Sequence, residues 1–294
     1  MRDKTPMRAK TRNGVLGLLA GCLLVLGPQS GDASQEPSVI YEDWTTSSNI
    51  RPDRWSGSGD FGQEIEREVQ GNRLLMRFRR EGGTSSDAGA TGFFSNRLNF
   101  RNPLSVDQME VEFRVRDITL SGCPVNATAS IARAAAIDLN RISDLSPGTP
   151  SAPGDLTGDY VARVEVRRLS DSTDPEDVLT VRAVLFRCNN LGCSSTTTVG
   201  TPEVLGQVRT RKLFRVRLSW NAADNEFRAG LNDNIDVSLP YPAASNARPA
   251  NSQAALIRIQ HLPANCTVLS GGPTVGDAEI EVRSVRTNAS AVVP

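Results

Sequence analysis

Almost every patterned segment of this chain alternates apolar and polar residues with a period of two. Met109, Val111, Phe113 and Val115 alternate with Glu110, Glu112, Arg114 and Arg116. Tyr160, Ala162, Val164 and Val166 alternate with Val161, Arg163, Glu165 and Arg167, and Phe214, Val216, Leu218 and Trp220 with Leu213, Arg215, Arg217 and Ser219. Successive side chains of a strand point to opposite faces, so each segment buries one face and wets the other, as antiparallel sheets do. Similar patterns recur at 38–44, 92–100, 127–139, 178–188, 226–239, 254–262 and 278–286, and no stretch has a helical period. The economical solution is two packed antiparallel sheets, an all-β sandwich of the jelly-roll type. The Pro/Ala/Ser-rich breaks at 144–158 and 240–253 leave the pattern unchanged on either side, so they read as surface loops of one domain.

The N-terminus does not belong to that fold. Arg2, Lys4, Arg8, Lys10 and Arg12 precede an apolar run from Val15 to Gly27, the layout of an export signal. The run is shorter than the roughly 20 residues a bilayer span requires. Gly31 and Ala33 stand three and one before Ser34, as signal peptidase requires, so cleavage after Ala33 is the expectation. Leu19-Ala20-Gly21-Cys22 resembles the lipobox of bacterial lipoproteins, which makes lipidation of Cys22 the alternative. Leu23 to Leu26 continue the apolar run where a lipoprotein turns polar, and this favours cleavage. The expected organisation is a signal peptide at 1–33, one β-sandwich at 34–286 and a flexible tail at 287–294. The mature chain would be extracellular or periplasmic, without a transmembrane segment, or anchored to the envelope through Cys22.

Removing residues 1–33 leaves 28 basic and 31 acidic residues, a net charge of −3. That is no footprint for nucleic acid, which wants a basic excess. Cys123, Cys188, Cys193 and Cys266 remain, an even number in an oxidising compartment. The four residues between Cys188 and Cys193 form a turn that can bring the two face to face, and Cys123 and Cys266 then pair by elimination. A zinc site of all four is the competing reading, but only Cys188 and Cys193 have ligand-like spacing.

Candidate chemistry is sparse. Glu64, Glu66 and Glu68 share one face of a strand, and paired carboxylates are what glycoside hydrolysis needs. If Gly71-Asn72 is a two-residue turn, however, Glu64 faces Arg79, Glu66 faces Arg77, Ile65 faces Phe78 and Val69 faces Leu74, a self-consistent structural hairpin. His261 is the single histidine, in an apparent strand, and no Gly-x-Ser-x-Gly elbow accompanies it. Asp224, Asn225, Asn232, Asp233, Asn234 and Asp236 supply many oxygens. Asp233, Asn234 and Asp236 are the candidate calcium ligands, against the reading that the stretch makes turns. Trp55, beside Gly57 and Gly59, is the candidate for stacking on a sugar, against the reading that it caps the sandwich edge. No catalytic residue is assigned, and no cofactor other than calcium is implied.

The stretches YEDWTTSSNIRPDRWSG, the turn at Gly71-Asn72, RVRLSWNAADNEFRAGLN and the final DAEIEVRSV resemble the concanavalin A-like lectin/glucanase superfamily, which includes laminin-G-like jelly rolls. The resemblance implies that the first strand meets the last at the sandwich edge, with a Trp-turn-Phe hairpin between them. Glucanases of the superfamily carry Glu-x-Asp-x-x-Glu on a strand. Neither Glu110-Val111-Glu112 nor Glu279-Ile280-Glu281 has acids at those intervals. The expectation is therefore an exported, non-catalytic binding or interaction module, leaning away from an enzyme, with carbohydrate the first ligand class and a glycan or envelope partner. The alternatives are a polysaccharide-degrading hydrolase or lyase on the same scaffold and a structural cell-envelope protein.

Overall fold

The computed structural model describes residues 38–57, 64–83, 94–123, 129–142, 156–233, 237–242, 255–266 and 273–292. The expectations for the export signal and for Cys22 lie outside them. Fifteen strands are described: β1 (Ser38–Glu42), β2 (Trp55–Gly57), β3 (Glu64–Val69), β4 (Leu74–Glu81), β5 (Phe94–Phe100), β6 (Gln108–Leu120), β7 (Ile131–Ile142), β8 (Tyr160–Leu169), β9 (Val178–Cys188), β10 (Thr196–Arg209), β11 (Leu213–Asn221), β12 (Glu226–Leu231), β13 (Val237–Pro240), β14 (Ala255–Leu262) and β15 (Val275–Asn288).

They form two antiparallel sheets. The first runs β13-β12-β11-β6-β15-β4-β3, with β1 pairing on β15 beyond the end of β4; the second runs β10-β9-β8-β7-β14-β5-β2. The alternation seen in the sequence fills the space between them. Met76, Phe78, Val111, Phe113, Val216 and Leu218 of the first sheet are buried in one core with Ile137, Leu139, Val164, Val181, Ile257 and Ile259 of the second. Trp220 of β11 lies opposite Phe227 of β12, the Trp-turn-Phe hairpin implied by the resemblance.

The β3–β4 hairpin has the register read from its sequence, with Glu64 opposite Arg79, Glu66 opposite Arg77 and Val69 opposite Leu74. Gly71 and Asn72 have φ of 57° and 61°, both in the left-handed region that a two-residue primed turn demands. Arg67, opposite Met76 on the dry side, donates from Nη1 to the Arg97 carbonyl of the other sheet at 2.8 Å.

Cys123, after β6, is bonded to Cys266, after β14, and Cys188 to Cys193 in the β9–β10 connection, with Cα separations of 5.6 and 4.8 Å. The first bridge joins strands of different sheets. In the chain-entropy account its long loop contributes about 5 kcal/mol against about 2 for the short one.

Three expectations are corrected. β10 gave no sequence signal: it is a sheet edge wetted over most of its length, it contains Pro202, and its register shifts on either side of Glu203 and Val204, so no alternation develops. The sandwich does not end at 286 as expected. β15 continues through Asn288, whose Oδ1 accepts from the Asp107 and Gln108 amides, and Ala291 is buried. Finally, the outward residues of β8, expected to be wet, are buried at Arg163 and Glu165.

Candidate active site

That buried outer face sits at the middle of the second sheet. β8 contributes Arg163, Glu165 and Arg167 by strict alternation. β7 contributes Asp138 and Arg133, five residues apart and so nominally on opposite faces. A bulge reconciles them: Asp138 pairs with Arg163 and Ala136 with Glu165, but Arg133 pairs with Arg167, so β7 carries one extra residue at Ala134–Ala135. The same shift appears against β14, where Arg258 pairs with Ala136 and Gln260 with Arg133. An extra residue flips the alternation and re-aims the side chains beyond it. It turns Arg133 out of the core and onto the face that carries Asp138.

Four arginines converge on Glu165. Arg133 Nε lies 2.5 Å from Oε2, Arg182 Nε 2.5 Å from Oε1, Arg167 Nη1 3.8 Å from Oε1 and Arg163 Nη1 3.9 Å from Oε2. Asp138 accepts two bonds from Arg163, at 2.8 and 3.2 Å, and lies 2.7 Å from Arg258 Nη2. Arg163 therefore bridges the two carboxylates, and its guanidinium stacks over the Phe186 ring at 4.8 Å. Arg133 also donates to Gln260 Oε1 at 2.8 Å. Two buried donors stay unmatched, Arg258 Nε and Gln260 Nε2.

The two acids respond differently to this setting. Burial works against the charged form of both. At Glu165 the attraction of Arg133, Arg163 and Arg182 outweighs burial and holds its pKa down at about 2. At Asp138 burial prevails over the attraction of Arg163, and repulsion from Glu165 adds to it, so its pKa is raised. Neighbouring carboxyls driven apart in this way provide one proton donor and one ionised partner, the division of labour that acid–base chemistry uses.

The residues singled out in the sequence lie elsewhere. Glu64, Glu66 and Glu68 are exposed on the outer face of the first sheet, and Arg77 turns from Glu66 to Asp277, at 2.7 Å. His261 points into the core, stacked on Phe78, with Nε2 2.9 Å from the Phe78 carbonyl; a carbonyl only accepts, so Nε2 carries the proton of a neutral ring. Burial pushes its pKa to about 4. Trp55 is corrected as a sugar platform. It is 2% exposed and packs against Trp44, Tyr41 and Phe100, so neither ring face is open, and it caps the sandwich. Asn234 and Asp236 lie outside the described residues. Asp233 is exposed and faces Arg215 at 3.8 Å, while Asn225 and Asn232 adopt positive φ in turns. Among the described residues no group of three or more His, Cys, Asp or Glu could hold a metal.

Sequence reasoning passed over Asp138 and Glu165. Two signals were present: Arg163-Val164-Glu165-Val166-Arg167 sets an acid between two arginines on one face, and Ala134-Ala135-Ala136 interrupts the alternation of β7.

Solved structures share the sandwich. LamAcat from Zobellia galactanivorans aligns over 85% of this chain and 96% of its own, at 12% identity and a TM-score of 0.45. The catalytic domain of an endo-1,3-β-glucanase (laminarinase) from Thermotoga petrophila aligns over 86% and 98%, at 10% and 0.42. A β-1,3-glucanase from Mycobacterium marinum aligns over 85% and 98%, at 9% and 0.42. No protein-family model matches the chain, and no curated protein matches it. This chain is a two-sheet antiparallel β-sandwich, as the resemblance read from its sequence implied. At these identities the likeness is one of fold. The expectation of a non-catalytic binding module, leaning away from an enzyme, is corrected: it took no account of the buried carboxylate pair on this face.

Proposed function

We propose that this chain is a polysaccharide-degrading enzyme, exported after loss of residues 1–33, and that Asp138 and Glu165 are its catalytic carboxylates. The observation that carries the reading is the pair itself: two buried acids on adjacent central strands, bridged by Arg163, with pKa values displaced in opposite directions. Hydrolysis of a glycosidic bond needs that combination. Asp138, protonated, gives its proton to the glycosidic oxygen as the bond to the anomeric carbon breaks. Glu165, ionised, attacks that carbon or takes a proton from the water that does. The hydroxyl of water ends on the sugar, and its proton returns to Asp138, directly where Glu165 is the nucleophile and by way of Glu165 where Glu165 is the base. Both carboxylates are buried, so binding of sugar is coupled to a local opening of this face.

The test is release of new reducing ends from a panel of polysaccharides. The parent is expected to generate them, and Asp138→Asn and Glu165→Gln to abolish them with the circular dichroism spectrum unchanged. Folded variants that keep parental turnover would remove both residues from the mechanism.

A further inference from the structure

The charge balance around the pair says what kind of polysaccharide it acts on. Five arginines, Arg133, Arg163, Arg167, Arg182 and Arg258, surround two carboxylates on this face. Arg168 and, in the adjoining 169–174 turn, Asp171 and Asp174 leave the balance positive by three with Asp138 protonated. Arg168 is held by three backbone carbonyls, those of Asp174, Pro175 and Val178, so it builds the turn. Arg167 and Arg182 are different. Each reaches Glu165 with one nitrogen, and both line a cavity of about 360 Å³ between that turn and β10. Their side chains are each 19% exposed, so the cavity reaches them. Asp171, which also lines it, is the acid that faces Arg167 there. Two partly desolvated guanidiniums with one shared carboxylate behind them repel each other until an anion joins them. Guanidinium groups receive carboxylate or sulfate oxygens in a planar, two-bond geometry. Deeper in the face, the unmatched Arg258 Nε and Gln260 Nε2 are two further donors for a polar ligand and offer no acceptor to it.

Resting on the enzymatic reading of the same site, we propose that the substrate is an acidic polysaccharide, whose carboxylate or sulfate group is received by Arg167 and Arg182 in the cavity beside the carboxylate pair. A neutral glucan would bring these cations no charge beyond that of Glu165 and Asp171.

The experiment compares three polymers with the full chain: a polyuronate, a sulfated galactan and a neutral β-1,3-glucan. Saturable retention and product release are both measured, at low and high salt. One acidic polymer is expected to be cleaved with kcat/KM about 10- to 100-fold above the neutral glucan, the factor that charge-assisted hydrogen bonds supply. Its KM should rise with salt, and Arg167→Gln should raise KM by a similar factor while leaving kcat within about twofold. Arg116→Gln, on the opposite sheet, should change neither. Which acidic polymer responds separates carboxylate from sulfate. Equal or better cleavage of the neutral glucan overturns the acidic substrate and leaves the enzymatic reading standing. Saturable, salt-sensitive retention of an acidic polymer without product supports the acidic ligand and overturns the enzymatic reading. Neither retention nor product overturns both.

Discussion

The outer faces of the two sheets look alike in sequence and behave differently in the structure. Each alternates arginine with glutamate or aspartate along neighbouring strands. On the first sheet these residues form a ladder open to water. Arg116 meets Glu279 with both side chains about a third exposed or more, and Glu64 lies 3.9 Å from Arg77 while half exposed. On the second sheet Glu165 and Asp138 are shielded, and the arginines that serve them are nearly so. Exposed ion pairs add little because water solvates each partner almost as well as the other does. Buried ones are costly to assemble and costlier to break, because removing one partner strands the other without solvent. Charge alternation therefore marks a strand face without saying which environment it meets.

This difference can be attacked experimentally. The largest effect is expected from Glu165→Ala, which leaves Arg133, Arg163 and Arg182 facing one another in the buried face. Denaturant unfolding should show a loss of about 3 to 5 kcal/mol. An effect under 1 kcal/mol would mean the two faces are equivalent.

Next comes the response to acid. The folded pKa of Glu165 is depressed from 4.5 to about 2, so the stability it confers is fully present above pH 4.5 and is lost as pH falls through 2. The full loss is about 3 kcal/mol. His261, neutral in the core with a pKa of about 4, draws down stability earlier, between pH 6.5 and 4, because the unfolded chain takes up a proton that the folded one refuses. The difference between the parent and Glu165→Gln isolates the carboxylate. It should narrow between pH 4.5 and 2, and a constant gap across that window would contradict the assignment.

The smallest effect belongs to the first sheet. Glu64→Gln and Glu66→Gln should each change stability by no more than about 1 kcal/mol, and less in 1 M salt, where the Glu165 effect persists. Neither should alter product release. Loss of turnover in either variant, with the fold intact, would move the active site to the β3–β4 hairpin.

The sandwich was legible in the sequence because its dominant signal, alternation, is a property of each strand alone. The β3–β4 register could be read for the same reason, since Gly71-Asn72 fixes the turn and every pair follows from it. The disulfides were legible because four cysteines with one close pair leave few connectivities. The site was not legible in this way. It depends on the bulge at Ala134–Ala135, which carries Arg133 to the same face as Asp138, and on long-range pairing that sets β7, β8 and β14 side by side. Strict alternation also assigned Glu165 to water, whereas burial of that face is a property of the assembled sheet. β10 escaped notice because an edge strand with little to bury has no reason to alternate.

The split between the two central carboxyls is the claim on which the enzymatic account rests, and titration followed by carbon-13 resonances of Asp138 and Glu165 tests it directly. The expected result is an Asp138 carboxyl that stays protonated above the usual aspartate value of about 3.9, beside a Glu165 carboxylate that remains ionised down to about pH 2. If the order is reversed, or if both acids ionise together below pH 3.9, the pair is a structural ion network and the catalytic assignment falls.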